Sequence, residues 1–162
     1  KPTYSKTPHI TVCYLDKQPE AKLPKITEKV KSYLEKLRGA ELTIGGFGYF
    51  EENKPRILFL DVRYPKSLQE FNKTITKSLS IYSATHNNLP FYPHMTVAWV
   101  GDPKAQQAFK AHQSNIKTLL DKVKWTFEIT ELVLYGVDST KKPEYQKKLI
   151  SLSVQSTSQV DI

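Results

Sequence analysis

The sequence predicts an α+β fold in which a strand–helix–strand–strand unit occurs twice. Two observations support this prediction. Residues 7–12 (TPHITV) resemble residues 92–97 (YPHMTV), so that each copy of the unit begins with similar residues. Around them, segments with helical periodicity alternate with short apolar segments typical of strands. The chain has 162 residues, 39% of them hydrophobic, which suits one domain over residues 1–162 with a substantial core.

The first copy is predicted as a strand over 9–15, a helix over 24–38 and strands over 41–50 and 56–64. Gly39 follows the helical periodicity and is expected to end this helix in a left-handed conformation. The strand over 41–50 is rich in glycine. The strand over 56–64 is apolar at nearly every position, which is typical of a strand in the middle of a sheet.

A connecting helix is expected to begin at Ser67, where Ser67 and Glu70 could form a capping box. Its apolar face is predicted to comprise Leu68, Phe71, Ile75, Leu79 and Tyr82.

The second copy begins with a strand over 94–100. Asp102 and Pro103 have the residue types of an N-cap and a first helical position, so a third helix should run from there to about residue 121. Strands over 125–135 and 147–155 are predicted to complete this copy. An internal duplication would place the two motif strands symmetrically across a groove.

Each repeated segment contains a histidine followed two residues later by a threonine: His9 with Thr11, and His94 with Thr96. In a strand, residues i and i+2 point to the same face, so each copy should present an imidazole beside a hydroxyl. Imidazole titrates near pH 6.5 and can act as acid or base near neutrality. Two such pairs can take a proton from an attacking oxygen, give one to a departing oxygen and hold phosphate oxygens through the hydroxyls.

The composition limits the partners and the compartment. The chain carries 24 basic and 16 acidic residues, a net charge of +8, which favours a polyanion such as RNA. No segment of about 18 apolar residues is present, so no membrane association is expected. A single cysteine, Cys13, excludes an intramolecular disulfide and suits the reducing cytoplasm. The first residue is Lys1 rather than methionine, which suggests a piece processed or excised from a longer protein.

A metal site is the alternative use of the histidines. Zinc usually needs three or four protein ligands. The remaining histidines are poor candidates, because His86 lies in a polar segment and His112 falls on the apolar side of the third predicted helix. We therefore expect neither a metal nor another cofactor.

The paired motifs His-Ile-Thr-Val and His-Met-Thr-Val resemble those of the 2H phosphoesterase superfamily, which is defined by two His-x-Thr/Ser-x motifs. The resemblance implies a bilobal α+β fold, with antiparallel sheets facing a central cleft and helices outside. It also implies metal-independent phosphodiester chemistry, in which His9 and His94 are the acid–base pair and Thr11 and Thr96 hold the phosphate.

Aromatic and basic residues close to the motifs are candidate substrate contacts, because bases stack on aromatic side chains. Ordinary packing is the alternative for each aromatic. Strand alternation puts Trp99 on the face opposite His94, in the core, and Cys13 is interpreted as a packing residue. The candidate contacts are Tyr92, Tyr4, Lys6, Phe47 and Tyr49.

The function predicted from these residues is a monomeric phosphodiesterase that acts on RNA ends or oligonucleotides. Its substrate could be a 2′,3′-cyclic phosphate, a 2′,5′-linked oligoadenylate or a cyclic nucleotide signal, because the motif serves all three. A non-catalytic RNA- or nucleotide-binding module is the alternative from another class. Two intact His-x-Thr pairs argue against it, because binding alone needs no acid.

Overall fold

The structure is a computed structural model that describes residues 3–4, 8–51, 56–82, 90–138 and 145–155. The chain forms two compact units, each assembled from three segments. The first unit comprises Lys1–Tyr14, Glu41–Pro65 and Pro90–Phe127. The second unit comprises Leu15–Ala40, Lys66–Leu89 and Glu128–Ile162.

The first unit is built on a five-stranded sheet with the order β1-β4-β3-β2-β5. The pairings of β1 with β4, β4 with β3, and β3 with β2 are antiparallel. The predicted strand over 41–50 is confirmed, and β3 occupies the predicted central position. The strands are β1 (Thr3–Tyr4), β2 (Glu41–Phe50), β3 (Ile57–Arg63), β4 (His94–Trp99) and β5 (Lys124–Glu128).

One face of this sheet is covered by helix α3 (Pro103–Leu120). The predicted cap is confirmed, because the Asp102 carboxylate accepts a hydrogen bond from the Ala105 backbone N–H at 2.8 Å. Phe109 packs with Leu58 and Ala98 in a buried cluster between helix and sheet. Helix α3 therefore packs on one face of the sheet and does not cover the opposite face.

Two irregularities in the pairing alter which residues share a face. In β2, pairing with β3 shifts between Ile44 and Phe47, where Gly46 has a φ of +86°. Such a left-handed conformation favours glycine. In β4, Ala98 pairs with Leu58 and Thr96 pairs with Phe59, so Val97 is an extra residue in a β-bulge. Side-chain alternation along β4 is therefore reset after Val97.

The second unit contains helices α1 (Leu23–Lys31) and α2 (Lys66–Ser78) and a two-stranded antiparallel sheet of β6 (Glu131–Asp138) and β7 (Tyr145–Ser153). The predicted apolar face of the connecting helix is confirmed, since all five of its residues are buried. Three of them belong to α2, and the last, Tyr82, ends a 3₁₀ turn over Ser80–Tyr82.

The predicted helix over 24–38 is wrong in its second half. Helix α1 ends at Lys31, and a 3₁₀ turn over Leu34–Leu37 follows. The Ser32 hydroxyl donates to the Lys29 carbonyl at 2.8 Å, a local bond with which serine competes with helix continuation. Gly39 ends the segment with a φ of +67°, as predicted.

The start predicted for the connecting helix is wrong by one residue, because α2 begins at Lys66 rather than Ser67. Lys66 and Glu70 instead form an ion pair at 3.6 Å, one helical turn apart.

The predicted strand over 125–135 is two strands in two different sheets. The chain leaves β5 after Glu128, and the Ile129 N–H donates to the Ala40 carbonyl at 2.8 Å. It then enters β6 at Glu131. A continuous β-favouring pattern cannot reveal a change of pairing partner, because strands in both sheets select the same residue types. In β7, Leu152 is buried while Ser151 and Ser153 are exposed, the alternation typical of a strand with one buried face.

None of the helices in the described segments is long and apolar enough to span a membrane.

Candidate active site

The second His-x-Thr motif lies on β4, on the face of the sheet opposite the one covered by α3. His94 pairs with Asp61 and Thr96 pairs with Phe59 on the neighbouring strand β3. Directly paired residues share a face of the sheet. Because both motif residues precede the bulge at Val97, His94 and Thr96 present their side chains together, as the sequence predicted.

The His94 ring is oriented by the backbone just before it. Its Nδ1 lies 2.8 Å from the Tyr92 carbonyl oxygen. A carbonyl oxygen can only accept, so Nδ1 carries a proton in this contact. Nε2 is then the ring nitrogen that can exchange a proton with a ligand, which fits a general acid or base.

Three aromatic rings surround the His94 ring. Phe50 meets it edge to face, with ring centroids 4.9 Å apart and planes at 83°. Phe59 and Tyr92 lie at 5.3 Å and 6.2 Å. These rings restrict how the imidazole can rotate. Sequence reasoning missed Phe50 and Phe59, because their approach to His94 depends on the pairing of three strands.

Gly48 makes room for the Phe59 ring. The two residues are directly paired, and a Cβ added at Gly48 would lie only 2.4 Å from a Phe59 ring carbon. At Gly48 the neighbour that approaches is the aromatic side chain beside His94.

Tyr92 is anchored by Asp61, another residue that the sequence prediction missed. The Tyr92 hydroxyl donates to the Asp61 carboxylate at 2.7 Å. This hydrogen bond, helped by partial burial and by the negative charge, raises the pKa of Tyr92 to about 12. The available signal was a single charged residue inside the otherwise apolar segment 57–62. The contact fixes the residue whose carbonyl orients His94.

The first motif is not in a strand, which corrects the prediction for residues 9–15. Ile10 makes one isolated antiparallel bridge to Met95, the middle residue of the second motif. Residues 11–19 have no helix or strand. In antiparallel register, pairing of Ile10 with Met95 sets His9 opposite Thr96 and Thr11 opposite His94. The two motif segments are thus adjacent in one unit, which corrects the prediction of two symmetric strands on opposite sides of a groove.

The candidate substrate contacts predicted from the sequence divide into three groups. Tyr92 lies beside His94, as described. Tyr4 pairs through its backbone with Ala98, and its side chain lies outside the described part of the chain. Lys6 also lies outside the described residues. The rings of Phe47 and Tyr49 pack on Phe109 of α3, with centroids 6.1 Å and 5.5 Å away, which is the packing alternative stated for these aromatics.

Trp99 and His112 also differ from their predicted positions. Trp99 is 40% exposed rather than in the core, because the bulge at Val97 reverses the alternation on which the prediction relied. His112 is exposed on α3 rather than part of its apolar side. His86 lies outside the described residues. Within those residues, no group of three or more His, Cys, Asp or Glu side chains could hold a metal ion.

Comparison with known proteins assigns the family. The family model described as the 2′-5′ RNA ligase superfamily matches residues 1–141. The chain belongs to this superfamily. The relationship to the 2H phosphoesterases expected from the two motifs is thereby confirmed.

This chain is similar to a curated enzyme and to several solved structures. An RNA 2′,3′-cyclic phosphodiesterase of Geobacillus stearothermophilus is 27% identical over 142 residues, which are 85% of this chain and 43% of that protein. The chain thus spans less than half the length of this relative.

Two solved structures show the same fold. A protein of Thermus thermophilus has a TM-score of 0.65 at 19% identity, over 93% of this chain and 79% of that one. LigT of E. coli, solved with 3′-AMP, has a TM-score of 0.62 at 17% identity, over 95% of this chain and 80% of LigT. The predicted α+β class with antiparallel sheets is confirmed.

Proposed function

We propose that this protein is a metal-independent phosphodiesterase that opens 2′,3′-cyclic phosphates at RNA ends. The pairing of Ile10 with Met95 carries the proposal, because it brings the two His-x-Thr motifs side by side. The net charge of +8 favours an RNA substrate. The similarity to an RNA 2′,3′-cyclic phosphodiesterase supports the cyclic end as the reacting group.

The proposed reaction is a hydrolysis with two proton transfers. One imidazole of the pair His9 and His94 takes a proton from water as the water oxygen bonds to phosphorus. The other gives a proton to the ribose oxygen whose bond to phosphorus breaks. Each such transfer typically contributes about 10²–10⁴-fold to the rate. Both protons are handled by side chains of the chain, so the scheme requires no metal.

The threonine hydroxyls have a separate role in this scheme. Negative charge develops on the phosphate oxygens that do not bridge to ribose. Thr11 and Thr96 alternate with the histidines in the paired register and can donate hydrogen bonds to those oxygens. Donors positioned in advance stabilise the transition state without having to reorganise.

The test is a product assay on three substrates in the presence of a chelator. They are an RNA ending in a 2′,3′-cyclic phosphate, a 2′,5′-linked triadenylate and its 3′,5′-linked counterpart. We expect opening of the cyclic end to a terminal monophosphate, at a rate that the chelator does not reduce. His112→Ala is the matched control, because His112 is exposed on α3, which packs on the other face of the sheet.

Other outcomes would redirect the assignment. Cleavage of the 2′,5′ linkage alone would indicate an enzyme that acts on oligoadenylates. Activity on none of the three would contradict the proposal and lead to cyclic nucleotide signals, and then to a binding module. Loss of activity in chelator that added metal restores would contradict the metal-independent scheme.

A further inference from the structure

A single extra residue in β4 places an exposed tryptophan on the same face as His94. Without the bulge at Val97, Trp99 would alternate onto the face covered by α3. With it, Trp99 pairs directly with Ile57, which lies two residues before Phe59 on β3. Phe59 pairs with Thr96, so Trp99 shares the face of Thr96 and His94.

The surroundings of Trp99 are apolar and accessible. Ile57 also pairs with Phe50 on its other side, so Phe50, Ile57 and Trp99 form one row across three strands. The Phe50 ring continues this row to His94, with ring centroids 4.9 Å apart. On its other side Trp99 pairs with Thr3 of β1, and Trp99 remains 40% exposed. An exposed indole beside apolar side chains is well suited to the face of an aromatic ligand.

We propose that Trp99 is the stacking surface for the nucleobase of the reacting nucleotide. The inference rests on the proposed function. The row of Trp99 lies two strand residues from the row of Thr96, which is about 7 Å. A ribose separates its base from a 2′,3′-phosphate by a comparable distance. A phosphate held at the two His-x-Thr motifs can therefore place its own base on the indole.

Stacking of this kind predicts a particular specificity. Every base has a π face, so stacking tolerates all four bases. Purines present the larger face, and we expect them to be preferred over pyrimidines. The contribution of one stacked base corresponds to about 5- to 150-fold in affinity.

The chain offers a matched control for this residue. It has two tryptophans, and the other, Trp125, is 56% exposed. Trp125 lies on the opposite face of the sheet, because its neighbour Thr126 bonds to Thr43, and Thr43 pairs with Arg63 on the face of Asp61. A Trp125 variant thus reports the effect of losing an exposed indole in general, and a Trp99 variant reports the effect of losing the indole on the face of His94.

The first experiment measures KM for a dinucleotide with a 2′,3′-cyclic phosphate and for the same molecule without its terminal base. Trp99→Ala should raise KM for the complete substrate by about 5- to 150-fold and leave KM for the abasic one unchanged. Trp99→Phe should restore part of the difference, and Trp125→Ala should behave as wild type. Equal KM values for wild type and Trp99→Ala on the complete substrate would overturn the inference.

The second experiment is binding, which needs no turnover. In a Trp125→Phe protein, the remaining tryptophan fluorescence comes from Trp99, and 3′-AMP should quench it in a saturable manner while inorganic phosphate should not. Absence of quenching by 3′-AMP at concentrations that inhibit turnover would also overturn the inference. If the wild type opens no cyclic phosphate, the proposed function fails. The binding experiment then decides by itself whether Trp99 contacts a base, because a base contact predicts quenching by 3′-AMP and none by phosphate.

Discussion

The two His-x-Thr segments have nearly the same sequence but different local structures. His94 and Thr96 lie in β4, a strand paired with β3 along most of its length. His9 and Thr11 flank Ile10, whose only strand-like contact in the described part of the chain is the bridge to Met95. The comparison teaches that one antiparallel backbone pair is enough to set the two segments beside each other in register. A second regular strand is not required.

The second segment also shows how a motif residue is held in place. Tyr92 orients His94 through its carbonyl, Asp61 anchors Tyr92, and Phe50 and Phe59 enclose the ring. None of these contacts belongs to the motif itself. These contacts explain why the His-x-Thr pattern alone does not hold its histidine in place and needs this particular sheet around it.

The largest expected effect comes from removing either histidine. His9→Ala and His94→Ala should each lower kcat on a cyclic phosphate substrate by about 10²–10⁴-fold, since each removes one proton transfer. Similar losses would show that the irregular segment and the regular strand contribute equally. Single-turnover rates with circular dichroism as a folding check measure this. A near-wild-type rate in either variant would remove that histidine from the scheme.

Removal of a hydroxyl should have the next largest effect. Thr11→Val and Thr96→Val should each lower kcat by about 10- to 100-fold. This loss is at or below the smallest loss typical for removing an oxyanion-hole donor, because the threonines are only half-buried. The serine variants keep the hydroxyl and should recover most of the rate. A valine variant as active as its serine counterpart would show that the hydroxyl at that position does not contact the phosphate.

A smaller effect is expected from Asp61, which we propose as a positioning residue that acts on His94 through Tyr92. Asp61→Ala should lower kcat by about three- to tenfold with little change in KM, since it removes a charged hydrogen bond. Asp61→Asn keeps an acceptor for the Tyr92 hydroxyl and should be closer to wild type. If both variants lost equal activity, the carboxylate would have a role other than holding Tyr92.

The smallest expected effect is on alkaline stability. The hydrogen bond that Tyr92 donates to Asp61 raises the pKa of Tyr92 from 10.0 to about 12, so Tyr92 in the folded state keeps its proton at a pH where the unfolded state has lost it. The stabilisation is complete below pH 10 and is lost as the pH rises towards 12. The free energy of unfolding of the wild type should exceed that of Tyr92→Phe by a constant amount below pH 10. Chemical denaturation across this range should show the difference shrinking, and an unchanged difference would contradict the contact.

Much of the fold could be predicted because its signals are local. The Asp102–Pro103 pair predicts the start of α3, and Gly39 predicts the end of the first helical segment. The apolar residues from Leu68 to Tyr82 predict the buried face of the connecting helix. The two motifs likewise led to the family.

The remaining features could not be predicted because they depend on pairing between strands. Val97 looks like any other β-branched residue in a strand, yet as a bulge it decides which face Trp99 occupies. Phe47 and Tyr49 belong to a strand whose register shifts at Gly46, and only the partner strand shows which face they share. Phe50 and Phe59 meet His94 across three strands, a contact with no sequence signature.

The central claim is that both motifs form one acid–base site, and a double-mutant cycle tests it most directly. The measurement is kcat for the wild type, His9→Ala, His94→Ala and the double variant on one cyclic phosphate substrate. If the histidines act as a unit, the double variant should be about as slow as the slower single variant. A double variant whose loss equals the product of the two single losses would mean that the histidines act independently, and would contradict the account.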